Sequence, residues 1–552
     1  MSGRSSWHGS GATSVRELRV SLGDSGLEVE PERDDATGIA AGMGGTMRDG
    51  LAVRSERGGV ALAITDVLLL DPVLGVRRTS IGITGGRVVA VGRAGNPDTM
   101  DAIDIVLDTA TAVVDGRGLV ATPGGIDSHV HWLSPQICDA ALAGGLTTFV
   151  MQDFGPVWNL GNNPEEGLRA TWAALEAHPL NVCLLVRASS SRPGPVVDGL
   201  RAGGGGLKIH EDVGAGPEQL RCALDVADAH DVQLAVHTDG MNELLSVADT
   251  IAVTAGRTWH AYHVEGVGGG HWPDTLALAG RERILTSSTT PTVPFGVNAE
   301  AEHLAMVPAV HVLAPGVVHG DSTVVRHRVR ARTMAAEGLL HDLGVIAMLS
   351  SDSQGMGRVG EVVRRAFQNA AAMRALRGAG AGRADNERVL RHLAKVTINP
   401  AITHGLAGHI GSLEPGKLAD VVLWHPRNFG VRPELVLKAG VSVYGASGDG
   451  NASTGLSEPV LLQRQVGGGG TAPALLSLAF MARSGLGADL PTARTRVAVE
   501  DCRDLTAADM VRHGRTGDVR VDPRTLEVTL DGEPLAAPAL EEVALSGRYL
   551  LG

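Results

Sequence analysis

The chain has 552 residues, 43% hydrophobic and 20% charged, the composition of a globular protein long enough for several domains. A net charge of −13 argues against a nucleic-acid partner, whose phosphates call for clustered Lys and Arg. Aromatic residues make up only 3% while glycines number 74, so the core rests on Ala, Val, Leu and Ile. Cys138, Cys183, Cys222 and Cys502 lie far apart with no paired spacing, the usage of a reducing compartment. Met1 to Thr13 is Ser/Gly-rich without the apolar core of a secretory signal. The longest apolar run, Val60 to Val76, is broken by Asp66, Asp71 and Pro72, so no membrane span is expected and the cytoplasm is the expected location.

In chain order, residues 1–57 form an irregular, Gly-rich peripheral segment with one strand-like run at Val15–Val29. Residues 58–122 are β-rich, with strands expected at Ala61–Leu70, Ser80–Ile83, Arg87–Val91 and Ala112–Val114. The rhythm then changes over 123–404. Short apolar strands at Gly125–His131, Thr147–Met151, Asn181–Ala188, Gly206–His210, Gln233–Thr238, Thr258–Glu265, Arg283–Ser287 and Val345–Ser351 alternate with helical stretches such as Pro164–Ala177, Pro217–His230 and Val359–Arg377. Eight such units in about 280 residues fit an α/β fold of the (β/α)8, or TIM, barrel type. Residues 405–450 return to β character around Gly411–Trp424. They are expected to join 58–122 in a small β-sheet domain built from segments flanking the barrel. The C-terminal region, 451–552, is less regular, and Val466–Ala472 with its four consecutive glycines reads as a flexible loop.

The chemistry gathers at the strand ends. On a strand, residues two apart point to one side, so His129 and His131 present two imidazoles to a single point. Neutral imidazole is the commonest metal ligand among side chains. Lys208 and His210 share a face of the next such strand end, His237 and His263 end two more, and Asp352 ends the last. Any one of these is more often a satisfied structural polar group. The order HxH, Lys, His, His, Asp, each at a strand end where barrel enzymes build their sites, points to one metal centre. An uncharged lysine amine can add carbon dioxide, and the resulting carbamate can bridge two metals with its oxygens. Such a pair supports hydrolysis, because bound water falls from a pKa of about 15.7 to about 7. Nitrogen and hard-oxygen donors without thiolate admit zinc, nickel, manganese or iron, so the ligands alone do not choose the metal.

Particular words narrow the reading. Gly124–His131, LKIHED (207–212), His237-Thr238-Asp239, YHVEGVGGGH (262–271), SSDSQGMGRVGE (350–361) and TINPAITH (397–404) resemble the urease catalytic (alpha) subunit of the amidohydrolase superfamily. Gly45–Gly50, Ala94–Asp98 and Asn451–Ser453 resemble its flanks, so the likeness runs from about residue 16 to the end. The resemblance implies two nickel ions on His129, His131, Lys208 as its carbamate, His237, His263 and Asp352. It further implies that His210 hydrogen-bonds the urea oxygen, that Gly268 and Gly355 offer carbonyls to the urea amines, and that His311 sits on a mobile flap. Asp212 and Arg328 match the residues that position that histidine. Urea would be hydrolysed to ammonia and carbamate in a higher-order oligomer with beta and gamma subunits, after nickel delivery by accessory proteins.

The chain also departs from the family. Where the flap usually carries Cys-His it has Val310-His311, so inhibition by thiol reagents at the flap is expected to be lost. Residues 149–169 are shortened and rewritten, the loop after Pro315 is one residue longer, and 455–475 match poorly. Two rival readings follow: a binuclear amidohydrolase acting on cyclic amides such as hydantoins or dihydropyrimidines, and a non-catalytic paralogue that only assembles with a urease complex. The first has no reason to keep the 262–271 word or His311, and the second no reason to keep all six ligands.

Overall fold

The computed structural model describes residues 19–36, 50–152, 165–210, 215–237, 245–265, 274–301, 303–304, 306, 329–380, 384–447 and 461–546. Eight parallel strands pair in sequence order: Gly125–His131, Leu146–Gln152, Asn181–Arg187, Gly206–Ile209, Leu234–Val236, Trp259–Ala261, Ile284–Thr289 and Met348–Ser350. Every residue in them is buried, because helices cover the outer face and neighbouring strands fill the inner one. Their sequences therefore read as apolar runs rather than alternations. The eighth strand meets the first at its end. Asp352 N donates to His129 O and His131 N donates to Ser353 O, each at 2.9 Å.

Helices Ile137–Ala143, Glu165–Leu175, Pro193–Arg201, Pro217–His230 and Val247–Thr254 link the first six strands. Ala331–Asp342 precedes the eighth strand and Val362–Arg377 follows it. Local signals fix their ends. Pro217 opens its helix at a position where the missing N–H costs nothing. Ser246 and Asp249 cap the next helix reciprocally, the Ser246 hydroxyl accepting from Asp249 N and the Asp249 carboxylate from Ser246 N. Among the described residues no helix is long and apolar enough to cross a membrane.

The fifth and sixth strands are shorter than expected, three residues each. His263 and Asp352 take left-handed backbone conformations, with φ of 31° and 59°, and both lie past the last residue of their strands. These residues belong to the turn and not to the strand.

The second sheet joins sequence from both sides of the barrel. Its order runs Leu461–Arg464, Val441–Ser447, Leu435–Lys438, Val421–Trp424, Val120–Pro123, Leu62–Asp71, Gly75–Thr84. Val120 lies opposite Trp424, so the strand that enters the barrel pairs with one that follows it. Ile64, Val67, Leu69, Ile81, Val421 and Leu423 share a separate small core. The Trp424 indole N–H donates to Thr122 Oγ1 at 2.9 Å, and its ring lies where a side chain on Gly145 would stand.

Two C-terminal expectations need correction. Leu478–Met481 runs parallel to the third barrel strand, with Val182 opposite Ala479, and Thr495–Ala498 extends that sheet outward. Part of the glycine run is packed: Val466–Gly468 forms a 3-10 turn with Gly467 and Gly468 buried, while Gly469 and Gly470 are exposed. A Cβ on Gly467 would stand 2.8 Å from Ser442 O, so glycine is there for close backbone approach.

A buried polar knot ties the three parts together. The Asp420 carboxylate accepts from Lys438 Nζ at 2.5 Å, Asn181 Nδ2 at 2.7 Å and Ala439 N at 3.1 Å. Asn181 Oδ1 in turn accepts from Leu478 N at 2.9 Å. Removing one partner of a buried ion pair strands the other charge, at a cost of about 3–5 kcal/mol. Lys438→Met should therefore lower unfolding stability by about 3 kcal/mol in guanidinium melts, and an unchanged midpoint would show that the knot is not needed.

Candidate metal centre

His129 and His131 reach one point because their strand places them two residues apart, with Nε2 atoms 3.3 Å from each other. Lys208, inside the fourth strand, brings Nζ to 3.0 Å from His129 Nε2 and 3.1 Å from His131 Nε2. Asp352 Oδ1 lies 3.3 Å from each of the same two nitrogens. His237, one residue past the fifth strand, and His263, two past the sixth, approach within 2.9 Å through Nδ1 and Nε2. Ring contacts extend the group: His129 to His263 at 5.5 Å between centroids, and His210 to His237 at 4.0 Å. All seven residues are buried, none more than 5% exposed.

Burial sets the charges. It pushes His129 well below the ordinary imidazole range, with the Lys208 amine reinforcing the shift, so this ring is neutral and its lone pair free to donate. Burial also drives Lys208 down to about 7, against the opposing pull of Asp352. Burial alone would raise Asp352, but the hydrogen bond and charge of His131, with His263 and Lys208, outweigh it and hold the carboxyl below its ordinary value. The result is a neutral His129 and an amine near neutrality beside one carboxylate.

This donor set fits a metal pair. His129, His263 and Asp352 each place one ligand atom within 4.8 Å of the others, the spacing of a shared cation. His131, Lys208 and His237 border the same space, enough donors for a second ion. Imidazoles, a carboxylate and an amine near neutrality form a set that nitrogen- and oxygen-seeking divalent ions take up.

The structure brings His129, His131, Lys208, His210, His237, His263 and Asp352 together at the C-terminal ends of the strands. Gly355 is there too: a Cβ on it would press on Asp352 Oδ1 and stand 3.2 Å from the His131 ring. Gly268, Asp212, His311 and Arg328 lie outside the described residues.

Sequence reasoning passed over two neighbours. Tyr262 stacks on His129 with ring centroids 3.8 Å apart and planes 9° from parallel, and its hydroxyl donates to Ser128 O at 2.7 Å. Asp127 Oδ1 accepts from Ser351 N at 2.9 Å and His129 N at 3.2 Å, bridging the first strand to the last. A signal existed for Asp127, since it shares strand parity with His129 and His131. None existed for the stacking of Tyr262, which depends on how the sixth strand turns.

Residues 7–114 match the urease alpha-subunit N-terminal domain and residues 120–452 the amidohydrolase family. The chain is 50% identical to urease subunit alpha 2 of Streptomyces coelicolor over 97% of each chain. It is 50% identical to urease subunit alpha 1 of Streptomyces avermitilis, again over 97% of each. Identity to urease subunit alpha of Haloquadratum walsbyi is 40% over 98% of each chain. With relatives this similar across nearly its whole length, and with the barrel and the strand-end donors in place, the chain belongs to the urease alpha-subunit family.

Proposed function

We propose that this site hydrolyses urea to ammonia and carbamate with two nickel ions on His129, His131, Lys208, His237, His263 and Asp352, bridged by a carbamate on Lys208. The observation that carries this reading is the convergence of His129 and His131 on Asp352 around a lysine held near neutrality. Nickel in particular rests on family membership, since the donor set accepts several divalent ions. When bound, such a pair polarises the substrate carbonyl and lowers the pKa of water.

The rest is work for the chain's own groups. The neutral Lys208 amine adds carbon dioxide, forming an N–C bond and releasing one proton. His210, beside His237, would donate an N–H to the urea oxygen, where negative charge grows as the carbonyl is attacked. The Gly355 carbonyl, with that of Gly268, would accept from the urea N–H groups and fix their orientation. His311, positioned by Asp212 and Arg328, would pass a proton to the leaving amine. These last four roles rest on the resemblance in sequence. The subunit would work in a higher-order oligomer with beta and gamma subunits, loaded with nickel by accessory proteins, in the cytoplasm.

The first test is ammonia release from urea by the complex co-expressed with its accessory proteins in nickel and bicarbonate, beside a Lys208→Ala complex. Ammonia from the former and none from the latter is expected. A fully nickel-loaded complex that releases none would overturn the reading, and dihydrouracil would be the next substrate.

The shift of Lys208 gives a pH dependence whose sign is fixed. Only the neutral amine adds carbon dioxide, and an amine titrating near 7 is mostly neutral at pH 8 and mostly protonated at pH 6. Activation of the metal-free complex at fixed dissolved carbon dioxide and nickel should therefore run about tenfold faster at pH 8 than at pH 6. A rate that is flat or falls over this range would contradict it.

Gly355→Ala should push Asp352 out of place. Nickel per chain and ammonia release should fall together, with metal affinity down by about tenfold or more. A variant with full nickel and full activity would show that Asp352 is free to move.

A further inference from the structure

Metal-binding histidines are normally oriented by a hydrogen bond on the ring nitrogen that does not face the metal. His129 departs from that pattern. Its Nε2 faces His131, Lys208 and Asp352, while its Nδ1 is buried without a hydrogen-bond partner among the described residues. Something else must set the plane of this ring.

The candidate is Tyr262. Its ring lies 3.8 Å from that of His129 and 9° from parallel, a full face-to-face contact between two buried rings. The same side chain also grips the backbone, because its hydroxyl donates to Ser128 O, the carbonyl of the peptide that His129 begins. Tyr262 is itself held from behind: His260 packs against it edge-on at 4.6 Å, and His260 bonds to Ser287 Oγ at 2.9 Å and His404 Nε2 at 3.1 Å. Lys208 Nζ lies 5.0 Å from the centre of the Tyr262 ring, so the same ring also floors the amine.

We propose that Tyr262 is a positioning residue for the metal centre, fixing the His129 ring by stacking in place of the hydrogen bond that Nδ1 lacks. This rests on the metal-dependent urease reading. The stacked face blocks rotation about the bond that carries the imidazole, so Nε2 stays aimed at the ligand cluster. The hydroxyl bond is secondary: it aligns the backbone, whereas the ring aligns the ligand.

The test compares Tyr262→Phe and Tyr262→Met with the native holo-complex by the rate of nickel release to a chelator, nickel per chain and the nickel d–d absorption bands. Phe keeps the ring and should retain nickel within about threefold of the native rate, with unchanged bands. Met fills similar space without a flat face, and its nickel should leave about ten- to one-hundred-fold faster, with shifted bands. The melting temperature of the metal-free complexes shows whether the Met variant is folded. A folded Met variant that holds nickel as the native protein does would overturn the proposal. So would a Phe variant that loses nickel as fast as Met, since the hydroxyl would then be the working part. Should Met not fold, Tyr262→Leu supplies a second apolar side chain without a flat face, and native-like nickel retention by it would equally overturn the stacking role. Failure of the native complex to bind nickel at all would reject the metal reading itself, which is a distinct result.

Discussion

A barrel must close, and here the closure is made by the ligand-bearing segments themselves. The eighth strand is only three residues long, too short to hold the first along its length. The seam is completed just beyond it: Asp352 N on His129 O, His131 N on Ser353 O, and Ser351 N on the Asp127 carboxylate. The backbone that positions three candidate ligands is thus the backbone that shuts the cylinder. Displacing His129 or Asp352 would open the seam as well as the site, so stability and chemistry cannot be separated in this region. The arrangement also explains how Asp352 holds a left-handed conformation. Its carbonyl accepts from Gly355 N at 3.1 Å and Gly357 N at 2.8 Å while its N–H is committed to the first strand. A strained residue persists where its surroundings over-determine it.

Burial then decides what the enclosed groups are. Lys208 and Lys438 are both fully enclosed lysines, and desolvation lowers both. Lys438 sits 2.5 Å from the Asp420 carboxylate, which offsets much of the penalty and leaves it near 8 as half of a structural ion pair. Lys208 faces imidazoles at 3.0 and 3.1 Å, feels the Arg187 charge against it, and titrates near 7. The same residue type is half of an ion pair in one place and faces imidazoles in the other, and the difference is the nearest partner. Neutral lysine and neutral histidine together make a cavity that binds cations instead of repelling them.

Much of this was legible in the sequence because barrel strands and their ends have separate signatures. The HxH pair follows from strand parity, and Lys208 from its place in a short apolar run. The two-part origin of the small sheet was visible in the β character of residues 58–122 and around Gly411–Trp424. What escaped was non-local. His263 reads as a strand residue within Thr258–Glu265, since a left-handed turn at a non-glycine leaves no mark in composition. The C-terminal strand Leu478–Met481 was missed because its partner, Asn181–Arg187, lies almost 300 residues earlier. The glycines at 467–468 suggested looseness where the structure needs close packing, a confusion inherent in a residue that serves both ends. The described residues leave His311, Asp212, Arg328 and Gly268 aside, so those remain readings of sequence.

The glycines after Asp352 separate architecture from substrate binding. A Cβ on Gly357 would overlap Ser351 O, and one on Gly355 would crowd Asp352 Oδ1. The turn between them is drawn tight by Ser353 N on Ser351 Oγ at 2.8 Å, and by Thr290 Oγ1, which donates to Ser351 O at 3.1 Å and accepts from Arg358 N at 3.1 Å. Both glycines are therefore required by the placement of one carboxylate before any substrate is considered. The crowding of Asp352 is by itself a sufficient reason that Gly355 has no side chain. The word SSDSQGMG is specific because closing the barrel and holding Asp352 make the same demand on the chain, and only a turn with glycine at both positions meets it.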